Sequence, residues 1–331
     1  MSSAKELGEK KIIELILECL DQMPNMQLPF GDDASAVDLG SNKLAVINMD
    51  MLVSKTDVPK TMNLWQAARK AVIMNISDLA AKGAQPQVIL ASIGVPPNIT
   101  KKDIQQIGNG LNAGAREYNA YILGGDTNEA SDLVISCMVL GVCHKNHLIK
   151  RSGAEPGDYL ATTGSFGKTP AGLKILLYGL SAPQNSEGLV ESVLMPKARV
   201  KEGVALAQSR AATASIDSSD GLAWSLHELS QASNVGFRLD KVPIAPEAER
   251  FAELHGFDPL ELALYGGEEY ELLVTVKPKL WQTAQKAVET VGENLTKLGQ
   301  VTEDRQILLE TDKKIVVIEA RGWQHFKSSS E

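Results

Sequence analysis

Gly31-Asp32-Asp33-Ala34 opens an acidic turn, and Leu44-Ala45-Val46-Ile47-Asn48-Met49-Asp50 follows it as an apolar run ending in an acid. The second segment reads as a buried strand that carries Asp50 at its tip. Gly-Asp-Asp reads as a turn, so carboxylates can stand beside the strand end. Burying that much negative charge unpaired is costly, which implies a metal ion or a basic partner. Two turn aspartates and a solvated strand end remain the plainer alternative on this stretch alone.

The pattern recurs along the chain. Asp78 lies in Asn75-Ile76-Ser77-Asp78-Leu79-Ala80-Ala81, inside an otherwise apolar helical pattern. Asp126 follows a double glycine in Leu123-Gly124-Gly125-Asp126-Thr127, and Asp217 and Asp220 flank Ser218-Ser219. Each acid sits among small or apolar neighbours where Lys and Arg are scarce. Oxygen-only acidic sites of this kind suit Mg²⁺, held by a few carboxylates together with phosphates and waters.

With 331 residues the chain is long enough for about two domains with sizeable cores. Its 44% hydrophobic and 22% charged content is ordinary for a globular protein. No run approaches the roughly 20 apolar residues needed to span a bilayer. The N-terminus reads as a polar helix start rather than a signal peptide, so no membrane is expected as a partner and the cytoplasm is the expected compartment. Cys19, Cys137 and Cys143 are odd in number and widely spread, which suggests no disulfide framework. A net charge of −8 argues against nucleic acid as a partner. Polyanionic ligands would then need metal ions to carry the attraction.

An amphipathic helix is expected over 4–22, helices over 63–82 (carrying Asp78) and 101–118, and strands over 86–94, 121–123 and 133–143. Turn chemistry in Gly153-Ala154-Glu155-Pro156-Gly157-Asp158 places a domain boundary there, dividing 1–150 from 151–331. The second half alternates strands (159–163, 214–217, 236–239, 270–276) with helices (170–178, 197–209, 221–233, 258–264, 280–291), and two short strands follow. The tail Lys327–Glu331 is expected to fray. Gly164-Ser165-Phe166-Gly167-Lys168-Thr169 resembles the end of a P-loop, but Thr162 occupies the position where that motif needs its first glycine. The loop then either binds an anion through backbone N–H groups at a helix start or is a plain tight turn. Arg151 is either a bidentate phosphate clamp or a solvated linker residue. Glu268, beside Gly266-Gly267, is a better ligand candidate than Glu269 or Glu271, which can face solvent. Trp323 is either a ligand contact or satellite core packing.

Taken together, Gly31-Asp32-Asp33-Ala34, Asp50-Met51-Leu52-Val53, Asn75–Ala81, Gly124-Gly125-Asp126-Thr127, Arg151-Ser152-Gly153-Ala154, Asp217–Leu222, Gly266–Leu272 and Gly322-Trp323 resemble the thiamine-monophosphate kinase family. That family lies within the aminoimidazole-ribonucleotide-synthetase-like superfamily of ATP-dependent enzymes. The segments occur in family order and span nearly the whole chain. The resemblance implies a two-domain α/β (α+β) fold, with an N-terminal domain sharing a β-barrel across a homodimer and a C-terminal domain closing over a cleft. It implies that Asp33, Asp50, Asp78, Asp126 and Asp217 hold Mg²⁺ on the ATP phosphates, that Asp220 holds a further ion, and that Asn48 and the Met49 carbonyl contribute. Gly125, Asp126, Arg151 and Ser219 would touch ATP, while Asp57, Glu268 and Trp323 would touch the thiamine moiety. Asp50, Asp126, Asp217 and Asp220 would carry catalysis. The chain departs from the family pattern at Asn48 and Met49, where hydroxyl residues are frequent, at Asp57, where histidine is common, and at Glu269, which replaces an aspartate.

The implied reaction is ATP-dependent phosphorylation of thiamine monophosphate, the last step of thiamine diphosphate formation. Other superfamily chemistries compete with it. A selenophosphate-synthetase role lacks a cysteine near the N-terminal glycine motif, and a hydrogenase-maturation role lacks a terminal cysteine after Ser328-Ser329-Ser330-Glu331. A catalytically silent nucleotide-binding module would not need so many acids.

Overall fold

Val134-Ile135-Ser136-Cys137-Met138-Val139 alternates between a covered and an open face, and it forms the middle of the first sheet. In the computed structural model, which describes residues 3–311 and 314–323, that sheet has five strands. They are β1 (Ser35–Asp38), β2 (Lys43–Val53), β3 (Gln85–Val95), β4 (Tyr121–Glu129) and β5 (Val134–His144), in the order β1-β2-β5-β3-β4. Neighbours are antiparallel except β3 and β4, which run parallel and are linked by helix Lys101–Glu117. Leu44, Val46, Leu52, Ile135, Cys137 and Val139 are buried on the covered face. On the open face, Met49 and Met51 are 60% and 56% exposed.

The second sheet comprises β6 (Tyr159–Thr162), β7 (Ala212–Asp217), β8 (Gly236–Leu239), β9 (Leu272–Val276), β10 (Thr296–Thr302), β11 (Ile307–Glu310) and β12 (Ile315–Val317). Its order is β12-β11-β8-β10-β6-β9-β7, and only β11 and β8 are parallel.

Helix Leu64–Ala81 lies between the sheets. Asn63 and Gln66 close a capping box at its start. At its end Gly83 takes a φ of 69°, and a Cβ there would meet the Ala207 Cβ at 2.3 Å, so only glycine fits. One continuous core runs from Leu44 and Val139 through Ile76 and Ala80 of this helix to Leu272 and Val274 of the second sheet. Each buried Ile or Leu contributes about 1.5–3 kcal/mol, which fixes the helix, and the polar groups it carries, against both sheets.

Several expectations are corrected. The short strand expected over 121–123 continues through Gly124-Gly125 to Glu129. It can do so because a side chain at position 125 would strike the Ala91 carbonyl oxygen, its Cβ standing 1.7 Å away. The N-terminal helix spans Ala4–Leu17, is broken at Gly8 (φ 73°) and buries none of its residues, so its apolar stripe is not core. Helices Glu187–Leu194 and Pro246–His255 were not anticipated. Among the described residues neither sheet closes into a barrel, and no helix is long and apolar enough to cross a membrane. The tail Lys327–Glu331 lies outside the described residues.

Candidate active site

Parity along β2 puts Asn48 and Asp50 on the same side as buried Leu44, Val46 and Leu52, facing helix Leu64–Ala81. One turn of that helix then spaces Asn75 and Asp78 to meet them. Asn75 Oδ1 accepts the Asp50 backbone N–H at 2.8 Å, and its amide donates to the Ala71 carbonyl at 2.9 Å. The Asn48 amide donates to Asp78 Oδ2 and lies 3.5 Å from Asp50 Oδ2. From the other sheet, Asp217 ends β7, and its Oδ2 accepts the Ser77 hydroxyl at 2.5 Å. Asp33, Asp78 and Asp217 each bring a carboxylate oxygen within 4.8 Å of the others. Side chains from a turn, a helix and a strand end thus converge where the two sheets meet.

Electrostatics makes this cluster unstable on its own. Burial pushes Asp217 up to about 7, and the Asp33 charge adds to it. Burial, then the Asp217 and Asp50 charges, raises Asp78 well above the usual carboxylate range. Burial also raises Asp50. Asp33 goes the other way: burial opposes its ionisation, but Lys82 and Arg151 outweigh it and hold the group low. Like-charged carboxylates this close ionise together only with added positive charge.

The donor set fits a hard divalent cation. All ligands are oxygens; Asp33 Oδ2 is met by the Lys82 ammonium at 2.7 Å, and Ser218 Oγ is buried without a hydrogen-bond partner. Oxygens sharing one Mg²⁺ at about 2.0–2.1 Å stand roughly 3–4 Å apart, so the observed spread needs only small side-chain adjustment.

Two bases stand near the acids: Arg151, which the sequence singles out, and Lys82, which it does not. Lys82 is fully buried, 2.6 Å from Asp32 Oδ1 and 2.7 Å from Asp33 Oδ2, and it also donates to the Ser215 carbonyl at 2.9 Å. Its signal was a lone lysine closing the apolar run Leu79-Ala80-Ala81. Arg151 is no solvated linker residue. It pairs with Asp33 and, at 3.1 Å, with Glu228, while its backbone N–H donates to Asp32 at 2.9 Å.

Other expected residues are placed variously. Asp126 lies on exposed β4 with Ser92 as its strand partner, outside the buried cluster, and Gly125 precedes it. Met49 is on the open face of the sheet. Asp220 and Ser219 are half-buried on the turn after β7. The Ser219 carbonyl accepts the Glu268 N–H at 2.6 Å, and the Asp220 carbonyl accepts the Trp323 N–H at 3.1 Å. Trp323, half exposed, stands beside the Gly266–Gly267 turn: a Cβ on Gly267 would lie 3.4 Å from the Trp323 Cβ. Asp57 spends its carboxylate on the Val53 N–H at 2.7 Å.

The Gly164–Thr169 loop resolves differently from either reading. The acceptor at its helix start is an internal carboxyl group: the Gly167 N–H donates to Glu269, and Thr169 Oγ1 lies 3.3 Å from the same carboxyl group. Burial pushes Glu269 up to about 8 even so. Glu271 is likewise not solvated, because Arg199 holds it with contacts of 2.6 and 2.8 Å.

Residues 31–143 match the AIR synthase related protein N-terminal domain, and residues 155–310 match its C-terminal domain. The chain is 35% identical to the thiamine-monophosphate kinase of Pyrococcus horikoshii, over 97% of each chain. It is also 35% identical to that of Nitrosopumilus maritimus, over 97% of this chain and 99% of the relative. The chain belongs to the thiamine-monophosphate kinase family. A solved structure, AaThiL complexed with AMPPCP and TMP, superposes with a TM-score of 0.85 at 28% identity, covering 98% of this chain and 99% of that one. The family's two-domain α/β arrangement is therefore the arrangement found here, with an acid cluster at the junction of the two sheets.

Proposed function

We propose that the chain transfers the γ-phosphoryl group of ATP to the phosphate of thiamine monophosphate, giving thiamine diphosphate and ADP by direct in-line attack. The observation that carries this is the convergence of Asp33, Asp50, Asp78 and Asp217 at the domain junction, raised in pKa except where Lys82 and Arg151 intervene. A relative of the same fold holding AMPPCP, an ATP analogue, together with TMP supports the substrate pair. Bound Mg²⁺ would supply charge that offsets the repulsion between two polyanions.

In this proposal those four aspartates and Asp220 hold the ions, aided by Asn48 and the Met49 carbonyl, with Asp126 reaching them from β4. Arg151, Ser219 and Gly125 bind ATP, and Arg151 exchanges Asp33 for phosphate oxygens to do so. Glu268 and Trp323 receive the cationic thiamine rings, a carboxylate and an aromatic face both attracting a cation. Asp57 helps through its position rather than its carboxylate, which is engaged. Residues 1–150 form the nucleotide and dimer domain and 151–331 the closing domain. Three cysteines without disulfides accord with a cytoplasmic setting.

The phosphate acceptor has a second pKa of about 6 and is already a dianion at neutral pH, so no protein base is required. A free alcohol keeps its proton and needs one. Thiamine monophosphate is therefore expected to be converted with Mg-ATP at pH 7–8, and free thiamine at a rate lower by orders of magnitude. Product separation after incubation with each acceptor checks this. Comparable rates for both would sink the substrate assignment.

A homodimer completes the proposal. The open face of the first sheet exposes Met49, Met51, Leu90, Tyr121 and Leu123, and β4 is an edge strand with no further strand paired to it among the described residues. Such a face and edge favour association with a second copy. Sedimentation should give twice the mass of one chain, and Met51→Glu should shift it to one. A wild-type monomer would refute the dimer.

A further inference from the structure

Lys70 is 1% exposed in the middle of helix Leu64–Ala81, flanked by buried Ala67, Ala68 and Ala71. An ammonium at such a place is costly unless it is paired, and a buried pair adds little net stability over an apolar side chain. What Lys70 does instead is reach across the cleft. Its Nζ donates to Glu268 Oε1 at 2.5 Å in the second domain and to the Asp57 carbonyl at 2.9 Å in the first.

The Glu268 backbone is held in the left-handed region at φ 62°, unfavourable for a glutamate, with its N–H fixed on the Ser219 carbonyl at 2.6 Å. Backbone and one carboxylate oxygen are thus both pinned. Oε2 has no partner among the described residues, and the side chain stays 27% exposed. Only one oxygen of Glu268 is left for a ligand, and its direction is set by Lys70.

We propose that Lys70 is a positioning residue for the acceptor substrate: it locks Glu268 so that Oε2 faces the thiamine rings. The inference rests on Glu268 being an acceptor contact, as proposed above. Lys70 touches neither ATP nor the acid cluster in this role, so its effect falls on one substrate.

Steady-state kinetics of Lys70→Met, Glu268→Gln and the double variant test it. Lys70→Met is expected to raise KM for thiamine monophosphate on the order of tenfold to a hundredfold, the worth of one oriented charged hydrogen bond, with KM for ATP within about twofold. The double variant should match Glu268→Gln alone, because Lys70 acts only through that carboxylate. An unchanged KM for thiamine monophosphate in Lys70→Met overturns the inference. So does an equal rise for both substrates, or a double variant clearly worse than Glu268→Gln. Should Lys70→Met fail to fold for want of a partner to Glu268, the double variant has no unpaired charge and the comparison with Glu268→Gln decides. A normal KM in Glu268→Gln would overturn the assignment of Glu268 itself, and this inference with it.

Discussion

Asp50→Asn is expected to lower kcat by about a hundredfold to a thousandfold while thermal stability stays level or rises slightly. The substitution keeps the size of the side chain and leaves the Asp50 backbone N–H on Asn75, so the β2–helix contact at 2.8 Å survives. It removes one negative charge from a buried group whose members repel each other, as the raised pKa values of Asp78 and Asp217 show. Repulsion relieved is stability gained, whereas a metal site short of one carboxylate loses affinity and charge balance at the transferring group. A second readout does not depend on turnover. MgCl₂ should raise the Tm of the wild-type chain through preferential binding to the folded state, and raise that of Asp50→Asn much less. Near-normal turnover at limiting Mg²⁺, together with an unchanged Mg²⁺-dependent Tm, would remove Asp50 from the metal site.

Much of this site could be read from the chain because its acids sit in low-complexity surroundings. Asp50 ends an apolar run, Asp78 interrupts a helical stripe, and Asp217 closes a short strand, so each stands out against neighbours that bury. Hydrophobic periodicity also located the helices and strands that position them, Leu64–Ala81 above all.

The partners of the acids were not legible. Lys82 is 50 residues from Asp32 in sequence, and Lys70 is 198 from Glu268. Nothing local distinguishes a lysine that will be buried from one that will be solvated. Local scarcity of bases was therefore a poor guide to charge balance, since the fold imports them from another element. The same limit explains Glu269 and Glu271, whose alternating pattern suggested a solvated edge. Gly167 and Arg199 reach them from distant segments and make them internal. The first sheet departs in the opposite sense: the apolar run Leu44–Asp50 reads as a buried strand, yet Met49 on its other face is 60% exposed.

Lys82→Met is expected to cost about 3–5 kcal/mol of stability, enough to leave a marginally stable chain largely unfolded. Lys82 caps helix Leu64–Ala81 and ties three elements: the Asp32–Asp33 turn, the Ser215 carbonyl on β7, and the helix itself. Methionine fills nearly the same volume, so the loss is electrostatic rather than a cavity effect. It leaves Asp32 and Asp33, both almost fully buried, with Arg151 as the remaining base. Removing one partner of a buried pair strands its charge, whereas removing both together is often close to neutral. That asymmetry separates an electrostatic clamp from a packing role. Adding Asp32→Asn to Lys82→Met should recover most of the lost stability in urea titration, giving a coupling well above the few tenths of a kcal/mol that independent sites show. Costs that simply add would mean that Lys82 serves the fold by packing alone. A Lys82→Met chain as stable as the parent would mean that the buried acids need no internal counter-charge.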